Sequence, residues 1–455
     1  MIRPHDAIIE IARPLPAAKP GWPVIGTMTD FSSDPIGYLA ALHQAHGDVA
    51  PFSFGVGGLQ VLVMHPDVIG EVLQGTGKTF RKGYQSGFAT PLVLGNGLVT
   101  SEGDFWRRQR KLAQPAFHTK RIASYADTMV QLTAEAVAGW QAGSERDIHH
   151  EMMRLTSRIA TRTLFSAELT DADHMEALLT TMMEGLKGDF QSWEAFLPTA
   201  IPTPNRANLK AAVDAFDKYL LAIIEARRSD PTPHDDLLAM LMEARDDQDQ
   251  PMSAAQLRDE VVTLYIAGHE TTANTLSWGW MLLSQNPAVR ARLEAEVDSV
   301  LGGRPATFAD LRQLPYTTAV LKEIMRLYPV AWSISRMANE DVELGGYRIP
   351  KNTNIWIAQY LLHRDSRWFD NPLGFDPERW LDGRTETLPK NAYLPFGGGP
   401  RICIGNSFAE MEGVLLLATI SQRFRLNLVP GQRLDLDPGI TIRPRFGMQV
   451  LIESR

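Results

Sequence analysis

The chain has 455 residues, of which 44% are hydrophobic and 22% charged, and its formal net charge is −8. These values are ordinary for a globular protein, the charge gives no reason to expect nucleic acid as a partner, and no run of about 18 uncharged apolar residues indicates a membrane span. A single cysteine excludes an internal disulfide and any zinc or iron–sulfur site built from several cysteines, and it favours a reducing, cytoplasmic location.

The chain order predicts a mainly α protein with a small β-rich part. The stretch up to about Gly26 is rich in proline and has no signal-peptide pattern. Short β-prone runs follow, and helical periodicity dominates from about Gly103 onwards. Because the breaks between helices are short, we expect one domain over residues 1–455. Its β-rich part is predicted at about 27–70 and 341–360, and its helical part at about 103–340 and 406–424.

One long helix is predicted in the centre of the chain. Ser253 and Gln256 form a capping box, and no proline follows until Pro287, so the helix is long enough to cross the core. Its middle reads AGHETT, Ala267 to Thr272, where glycine and two threonines lower the helix propensity.

The AGHETT segment places polar groups where a core helix normally has none. Gly268 would let another group approach the backbone, and Glu270 and Thr271 would lie deep in the protein, where a carboxylate needs a partner or a role. A solvated helix face with a stray glycine remains the alternative, and His269 alone is typical of a packed core histidine.

A second motif combines one glutamate with two arginines. Glu323 and Arg326 are three residues apart and therefore share a helix face, among apolar neighbours. If this face is buried, the carboxylate needs further donors, and Arg379 in DPERW is a candidate. Taken alone, the pattern E-x-x-R is also typical of exposed helix surfaces, where an ion pair contributes little.

The only cysteine lies in the glycine-rich stretch FGGGPRICIG, Phe396 to Gly405, directly before an apolar helix. The glycines permit a tight turn. A helix N-terminus and Arg401 would favour the thiolate form of Cys403, although a lone cysteine is often simply a small buried side chain. A thiolate here would be a nucleophile or a metal ligand, and no nearby histidine suggests a catalytic base.

Together these motifs resemble the cytochrome P-450 family of haem-thiolate monooxygenases. The cysteine turn resembles the family pattern F-x-x-G-x-R-x-C-x-G, and the other four motifs follow in the family's order over nearly the whole chain. Trp380 stands where the family pattern has phenylalanine. The matching segments are Trp106 to Arg110 (W-x-x-x-R), Ala267 to Thr272, Glu323 to Arg326, Pro377 to Trp380 and Phe396 to Gly405.

The resemblance implies a fold, a cofactor and roles for individual residues. The fold is that of the family, with the long central helix crossing over a haem b whose iron is ligated by the Cys403 thiolate. Thr271 would bond iron-bound oxygen, and Glu270 would assist proton delivery. Glu323, Arg326 and Arg379 would form a structural triad that supports the cysteine turn. The remaining haem contacts would be Trp106, Arg110, Arg336, Phe396, Arg401 and Gly405.

The implied activity is hydroxylation or epoxidation of a lipophilic small molecule, such as a terpenoid, a fatty acid or a polyketide, with O2 and two electrons. The acid–threonine pair disfavours a peroxide-driven hydroxylase and a haem-thiolate isomerase, which resemble this chain but lack that pair. A non-catalytic haem-thiolate binder or sensor is a further alternative. The sequence HRD at His363 is reminiscent of kinases, but Asp370 stands where their asparagine is required, so a kinase is rejected.

Electrons are expected from separate proteins, since only 52 residues follow Cys403 in a chain of 455. A basic cluster on and after the W-x-x-x-R motif suits an acidic ferredoxin or flavodoxin, which a reductase would reduce. The alternative is that this helix only anchors the haem and exposes its basic residues to solvent. The protein is expected to be a monomer. The cluster consists of Arg107, Arg108, Arg110, Lys111, Lys120 and Arg121.

The substrate pocket is predicted from position and from apolar character. The segment Phe196 to Asn205 is either a mobile lid between two helices or an ordinary surface loop. The predicted pocket residues are Phe88, Leu92, Leu264, Ala267, Val330, Ala331, Trp332, Ile334 and Ile440.

Overall fold

The computed structural model describes residues 13–18, 21–83, 89–167, 172–191, 194, 197–198, 200–230, 232, 234, 236–245 and 249–455. By their Cα positions these residues form two units. The smaller unit holds the described residues up to 83 together with 334–358 and 398–401, and the larger unit holds the rest. The predicted Phe88 lies outside the described residues.

Helices make up most of the described structure. Their starts follow local signals, such as a proline in the first turn or a side-chain cap at the N-terminus. In chain order they are α1 (Met28–Ser33), α2 (Pro35–His46), α3 (Pro66–Gln74), α4 (Ala89–Leu94), α5 (Gly103–Ala113), α6 (Thr119–Ala138), α7 (Ile148–Phe165), α8 (Ala172–Gln191), α9 (Pro204–Ser229), α10 (Leu237–Glu243), α11 (Ala254–Gln285), α12 (Pro287–Leu301), α13 (Pro315–Leu327), α14 (Gln359–Leu362) and α15 (Asn406–Ser421).

The strands are short and gather in four small sheets. In chain order they are β1 (Arg13–Pro14), β2 (Val49–Ser53), β3 (Leu59–Val63), β4 (Phe80–Lys82), β5 (Glu145–Asp147), β6 (Ile334–Ala338), β7 (Val342–Leu344), β8 (Tyr347–Ile349), β9 (Asn354–Ile357), β10 (Phe424–Leu428), β11 (Leu436–Pro438), β12 (Ile442–Pro444) and β13 (Gln449–Ser454). A mainly α fold with a small β part, as predicted from the sequence, is confirmed.

The smaller unit is built on a five-stranded sheet in the order β2-β3-β9-β6-β4. β3 and β9 pair in parallel, with Val61 opposite Ile355, while the other neighbours are antiparallel. All four residues of β9 are buried. A second sheet of this unit has the order β1-β8-β7.

The β-rich part extends beyond the predicted 27–70 and 341–360, because β4 and β6 also join the five-stranded sheet. β6 was missed because its short sequence, ISRMA, has serine and arginine in its interior. β4 and β9 pair with its backbone on both sides, and the Arg336 side chain donates to Thr76, contacts that the sequence of β6 alone does not reveal. Whether the chain acts as one domain stays a prediction.

The larger unit has one hydrophobic core, and α11 runs through it. α11 packs along α7, and α15 packs against α6, α13 and α11. Of the 32 residues of α11, most in its second half are buried, including Trp278 and Trp280. Two further sheets complete the unit, β10-β13-β5 and the hairpin β11-β12. This arrangement gives α11 and the start of α15 fixed positions within one folded body.

No helix among the described residues is both long enough and apolar enough to cross a membrane.

Candidate active site

The central helix begins and ends where the sequence predicts. The Ser253 side chain accepts a hydrogen bond from the Gln256 N–H at 3.2 Å, and α11 continues unbroken to Gln285, just before Pro287 starts α12. The AGHETT segment therefore lies within a continuous helix. A Cβ on Gly268 would meet only Leu164, at 3.8 Å, so no described protein group uses the close approach that the glycine would permit.

One face of α11 is open although the helix is otherwise buried. Ala267 is exposed, and Thr271 and Thr275, one and two turns further on, are partly exposed. The Thr271 hydroxyl donates to the Ala267 carbonyl at 2.8 Å, and Thr275 repeats this bond to the Thr271 carbonyl at 2.9 Å. Since each hydroxyl proton is held by the helix backbone, the lone pairs of the Thr271 oxygen face the open side and can accept a hydrogen bond there.

Glu270 is buried beside this face. Its Oε1 accepts a hydrogen bond from the Thr441 hydroxyl at 2.7 Å, and only 4% of the residue is exposed. Burial raises the pKa of Glu270 to about 7, and Thr441 and the nearby Asn274 amide oppose this rise. A carboxyl group with a pKa near neutrality can both bind and release a proton under physiological conditions.

The cysteine turn is held by backbone hydrogen bonds. The Cys403 N–H donates to the Phe396 carbonyl at 3.0 Å, and Arg110 Nη1 on α5 donates to the Ile402 carbonyl at 2.8 Å. α15 begins at Asn406, and the backbone N–H of Gly405 faces the sulfur. The thiol therefore projects from a fixed turn at the start of a helix.

The Cys403 thiol is accessible, yet the surrounding protein displaces enough bulk water to raise its pKa. The Gly405 N–H and the Arg110 charge oppose this rise but do not outweigh it. The backbone N–H and a positive charge thus favour the thiolate, as the sequence predicts, but in the protein without haem the desolvation of the sulfur outweighs them. A metal ion held by Cys403 would supply the missing stabilisation, since metal ligation requires and favours the deprotonated sulfur.

The predicted haem contacts fall in both units. In the larger unit, Trp106 and Arg110 are half-buried on α5, with the guanidinium 5.9 Å from the indole ring. In the smaller unit, Arg336 is buried on β6 and its Nε donates to the Thr76 hydroxyl at 3.0 Å; Arg401 is half-buried. Their roles towards a cofactor stay predictions.

Glu323, Arg326 and Arg379 meet in a fully buried ion cluster. Arg326 donates twice to the Glu323 carboxylate, at 2.9 and 2.8 Å, and Arg379 Nε donates to its Oε1 at 3.0 Å. The three side chains are at most 1% exposed. The carboxylate also accepts from the Asp376 N–H at 3.0 Å and from the Trp380 indole N–H at 2.9 Å. Five donors thus compensate its desolvation.

The two arginines use their remaining donors on backbone carbonyls. Arg326 donates to the carbonyls of His363, Pro372 and Gly374 at 2.7 to 2.8 Å. Arg379 Nη1 donates to both the carbonyl and the carboxylate of Asp370, at 3.0 and 2.9 Å. The cluster therefore fixes the chain between α14 and Trp380, a stretch whose only described regular structure is a short 3-10 turn.

His363, the histidine of the HRD sequence, connects this cluster to the cysteine turn. Its carbonyl accepts from Arg326, and its Nε2 accepts from the Leu394 N–H at 2.8 Å. The Leu394 carbonyl accepts from Gly397 at 3.1 Å, and the neighbouring Phe396 carbonyl accepts from Cys403. Burial lowers the pKa of His363 to about 3, so its ring is neutral and remains an acceptor. In this protein the histidine of the HRD sequence therefore has a structural role.

The predicted pocket residues of the larger unit fall into two groups. Ala331 and Leu92 are half-buried, and Leu264, Val330 and Trp332 are buried. The Val330 carbonyl accepts from the Ile442 N–H at 2.9 Å, and the Trp332 indole donates to the Gly439 carbonyl at 2.7 Å. The structure therefore brings the segment after α13 against the turn that carries Ile440, which is 36% exposed. Ile334 lies in the smaller unit, on β6.

The predicted lid, Phe196 to Asn205, is described only in part. The buried Arg206 donates to the carbonyls of Pro198 and Ile201, both at 2.8 Å. Glu194 accepts from Thr203 and from Asn205, both at 2.9 Å. These bonds anchor the described part of the segment to the start of α9; its role as a lid stays a prediction.

Glu412 is a buried acid that the sequence motifs did not reveal. It is 1% exposed on α15, and neither carboxylate oxygen has a hydrogen-bond partner within the described residues. Burial raises its pKa to about 8, and Thr272 on α11 opposes the rise. The available signal was a single glutamate next to the apolar run GVLLLATI. Glu412 therefore holds its proton more tightly than an exposed glutamate does, and it lies on α15, the helix that follows the Cys403 turn, near Thr272 of α11.

We expect Glu412→Gln to stabilise the protein increasingly as the pH rises from about 4.5 to about 8. Folding raises the pKa of this carboxyl group, so its contribution to stability is full below about pH 4.5. The contribution is lost progressively up to about pH 8, because the unfolded chain releases the proton at lower pH than the folded protein does. Each tenfold change in proton affinity corresponds to about 1.4 kcal/mol. The Tm of the variant should equal that of the parent at pH 5 and exceed it at pH 8.5. Glu135→Gln, on the surface of α6, is the control; a difference independent of pH would contradict this account.

The residues present fit the haem that the resemblance implies. The available metal ligand is one accessible sulfur, that of Cys403, on a turn fixed by hydrogen bonds. The Gly405 N–H and the Arg110 guanidinium lie near this sulfur. The same unit also exposes apolar side chains, namely Ile402, which precedes Cys403 and is 39% exposed, and Ala267 on the open face of α11. One soft ligand together with exposed apolar surface suits a flat, hydrophobic macrocycle that carries its own nitrogen ligands.

Comparisons with known proteins agree with this site. The family model described as Cytochrome P450 matches residues 16–448. Cyclooctatin synthase of Streptomyces melanosporofaciens is 38% identical over 437 residues, which cover 93% of each chain. Pentalenene oxygenase of Streptomyces avermitilis is 34% identical over 413 residues, 90% of each chain. The retinoic acid bound cyanobacterial CYP120A1 has a TM-score of 0.88 at 27% identity and covers 98% of this chain and 100% of its own.

The matches extend over the helical core, the cysteine turn and the small sheets alike. The protein is thus an oxidoreductase that uses O2 to oxidise lipophilic molecules, and its only cysteine, Cys403, is the thiolate ligand of the haem iron. The chain belongs to the cytochrome P450 family of haem-thiolate monooxygenases.

Proposed function

We propose that the substrate is a neutral terpenoid, which the enzyme hydroxylates or epoxidises. The observation that carries this proposal is the chemistry of the predicted pocket, where every residue is apolar and Ala267 presents a methyl group at the open face of α11. A charged substrate would need a buried counter-charge, and the predicted pocket residues offer none. Two relatives support the class by name, pentalenene oxygenase and cyclooctat-9-en-7-ol 5-monooxygenase, the latter 36% identical over 90% of this chain.

In this proposal each residue of the site has a separate task. The bound haem, held by Cys403, supplies O2 binding and electron transfer to oxygen. Trp106, Arg110, Arg336 and Arg401 balance the propionate charges, and Phe396 and Gly405 shape the turn. The triad of Glu323, Arg326 and Arg379 keeps that turn in place.

Proton supply is the task of α11. The Thr271 oxygen accepts a hydrogen bond on the open face, while its own proton is held by the Ala267 carbonyl. Glu270 is the proton reservoir behind it, since its carboxyl group is buried and hydrogen-bonded by Thr441. One turnover consumes O2, two electrons and two protons, and it yields the hydroxylated product and one water. If the protons arrive without control, the same electrons form hydrogen peroxide instead.

We further propose that the electrons come from an acidic ferredoxin or flavodoxin, which is itself reduced by a separate reductase. Arg107, Arg108, Lys111 and Lys120 are exposed around the end of α5 and the start of α6. Such a cluster accelerates association with an acidic partner and makes it sensitive to salt. The enzyme would work as a monomer in the cytoplasm, whose reducing conditions suit an accessible cysteine thiol.

The test is a visible-spectrum titration of the haem-loaded protein with a neutral sesquiterpene, a diterpene alcohol, a long-chain fatty acid and a steroid. A low-spin to high-spin Soret shift with the terpenes alone is expected, followed by oxygenated product when NAD(P)H, ferredoxin and ferredoxin reductase are added. A shift confined to the fatty acid or the steroid would contradict the terpenoid assignment. Product formation from hydrogen peroxide alone would favour a peroxide-driven hydroxylase.

A further inference from the structure

A cavity lies behind α11, away from its open face. The cavity has a volume of about 40 Å³, and one ordered water needs about 10 to 15 Å³ on the same scale, so there is room for water. Its polar lining residues include His149 of α7, Glu176 of α8, His269, Glu270 and Asn274 of α11, and Arg443 of β12, and apolar side chains such as Met153 and Ile266 complete the lining. The three α11 residues lie on one side of the helix, and Thr271, on the open face, is the neighbour of Glu270.

Two buried donors or acceptors at this cavity lack a protein partner. Asn274 is fully buried and His269 is 2% exposed, and Asn274 Nδ2 and His269 Nε2 have no hydrogen-bond partner among the described residues. Buried polar atoms of this kind are normally satisfied, if not by protein then by ordered water. The cavity is thus large enough for water and has polar groups that can bind it on one part of its lining.

His149 fixes the direction of the Asn274 amide. His149 Nε2 and Asn274 Oδ1 are 3.0 Å apart, and burial lowers the pKa of His149, so its ring is neutral. With Nε2–H donating to Oδ1, the amide NH2 of Asn274 must turn towards the cavity and Glu270. His149 is therefore a positioning residue, which acts through Asn274.

One lining residue of the cavity, Glu176, pairs with an exposed histidine. His150 Nδ1 and Glu176 Oε1 are 3.0 Å apart, and the side chains are 46% and 22% exposed. Glu176 also lines the cavity, so one carboxylate contacts an exposed imidazole on one side and the cavity on the other. The titratable and charged groups that share this cavity with Glu270 are His149, Glu176, His269 and Arg443, and the Thr441 hydroxyl donates to Glu270.

We propose that this cavity is the proton-entry chamber of the enzyme, in which ordered water carries protons from the His150–Glu176 pair to Glu270, and Asn274, oriented by His149, holds that water in place. Each transfer moves one proton from solvent to Glu176, then to chamber water and then to the Glu270 carboxylate, and two such transfers accompany one turnover. The inference deepens the proposed function, because it rests on Glu270 being the proton reservoir of the site.

The test reads the Glu270 carboxyl group directly. In the haem-loaded protein at pH 6, the infrared C=O band of a protonated carboxyl that disappears in Glu270→Gln belongs to this residue. After dilution into D2O, the shift of this band reports how fast solvent protons reach Glu270. We expect exchange to be at least tenfold slower in Glu176→Gln and in Asn274→Leu, which fills the chamber. His149→Gln, which keeps a donor towards Asn274, should retain more exchange than His149→Leu.

Glu135→Gln is the matched control, since Glu135 also forms an ion pair with a neighbouring exposed side chain, Arg158 at 3.1 Å. Exchange as fast in Glu176→Gln as in the parent would overturn the proposal, and so would the absence of any Glu270 band. The measurement needs neither substrate nor electrons. If exchange slows as expected but no terpene shifts the Soret band, the chamber stands and the substrate assignment fails.

Discussion

Replacement of Glu323 by glutamine is expected to destabilise the folded enzyme by about 3 to 5 kcal/mol, the usual consequence of breaking a buried ion pair from one side. Glutamine has the shape of glutamate but no charge, so two arginines at most 1% exposed would lose their common counter-ion. The destabilised segment includes the backbone that leads from His363 through Leu394 to the cysteine turn. We therefore expect haem to be lost at lower urea concentrations than in the parent, with the Soret band and circular dichroism as readouts.

Trp380→Phe is the milder variant if Glu323→Gln fails to fold. It removes only the indole N–H that donates to the Glu323 carboxylate at 2.9 Å, and hydrogen bonds to charged groups contribute roughly 1.5 to 3 kcal/mol. The surface pair of Glu135 and Arg158 is the control, because Glu135→Gln should change the stability by less than about 1 kcal/mol. If Glu323→Gln were no more disruptive than Glu135→Gln, the cluster would not be what supports the turn.

Replacement of Thr271 by alanine is expected to leave haem binding intact and to redirect electrons from product to hydrogen peroxide. The hydroxyl of Thr271 is the polar side-chain group that α11 presents next to Ala267 on its open face. Its loss removes the oxygen that accepts a hydrogen bond on the open face and so orients the group that delivers the proton there. The product formed per NAD(P)H should fall by about hundredfold, the lower end of the usual contribution of a positioned proton-transfer group, while peroxide takes its place.

Thr271→Ser is the control, because serine retains the hydroxyl and can donate to the same Ala267 carbonyl. Its coupling should remain close to that of the parent. Product and peroxide are measured together against NAD(P)H consumed, at saturating ferredoxin. If Thr271→Ala formed as much product per NAD(P)H as the parent, Thr271 would not be part of the proton path. The proposed transfer of protons from Glu270 by way of Thr271 would then be wrong.

The sequence was sufficient for features that depend on local order. Helix α11 could be placed from a cap at Ser253 and the next proline at Pro287, because both signals act within one turn of the helix. The cysteine turn could be recognised from its glycines and from the apolar helix that follows. Family membership followed from the order of five motifs, and it is confirmed by the match over residues 16–448.

Features that depend on contacts between distant segments were not visible in the sequence. Trp380 was noted only as a departure from the family pattern, yet its indole bonds Glu323, 57 residues away along the chain. The bond between Glu270 and Thr441 spans 171 residues, and His149 meets Asn274 across 125. The raised pKa of Cys403 depends on desolvation, a property of the folded surroundings that no local pattern contains. These contacts are set by packing, so single-segment reasoning could not supply them.

The most direct test of the account is the visible spectrum of the reduced carbon monoxide complex, recorded for the parent protein and for Cys403→His. The account predicts the thiolate-type Soret band in the parent and its replacement by an imidazole-type band in the variant, because Cys403 is the only sulfur ligand that the chain's cysteine content allows. A parent protein that binds haem without this band, or a Cys403→His variant that keeps it, would contradict the assignment of Cys403 on which the rest of the site depends.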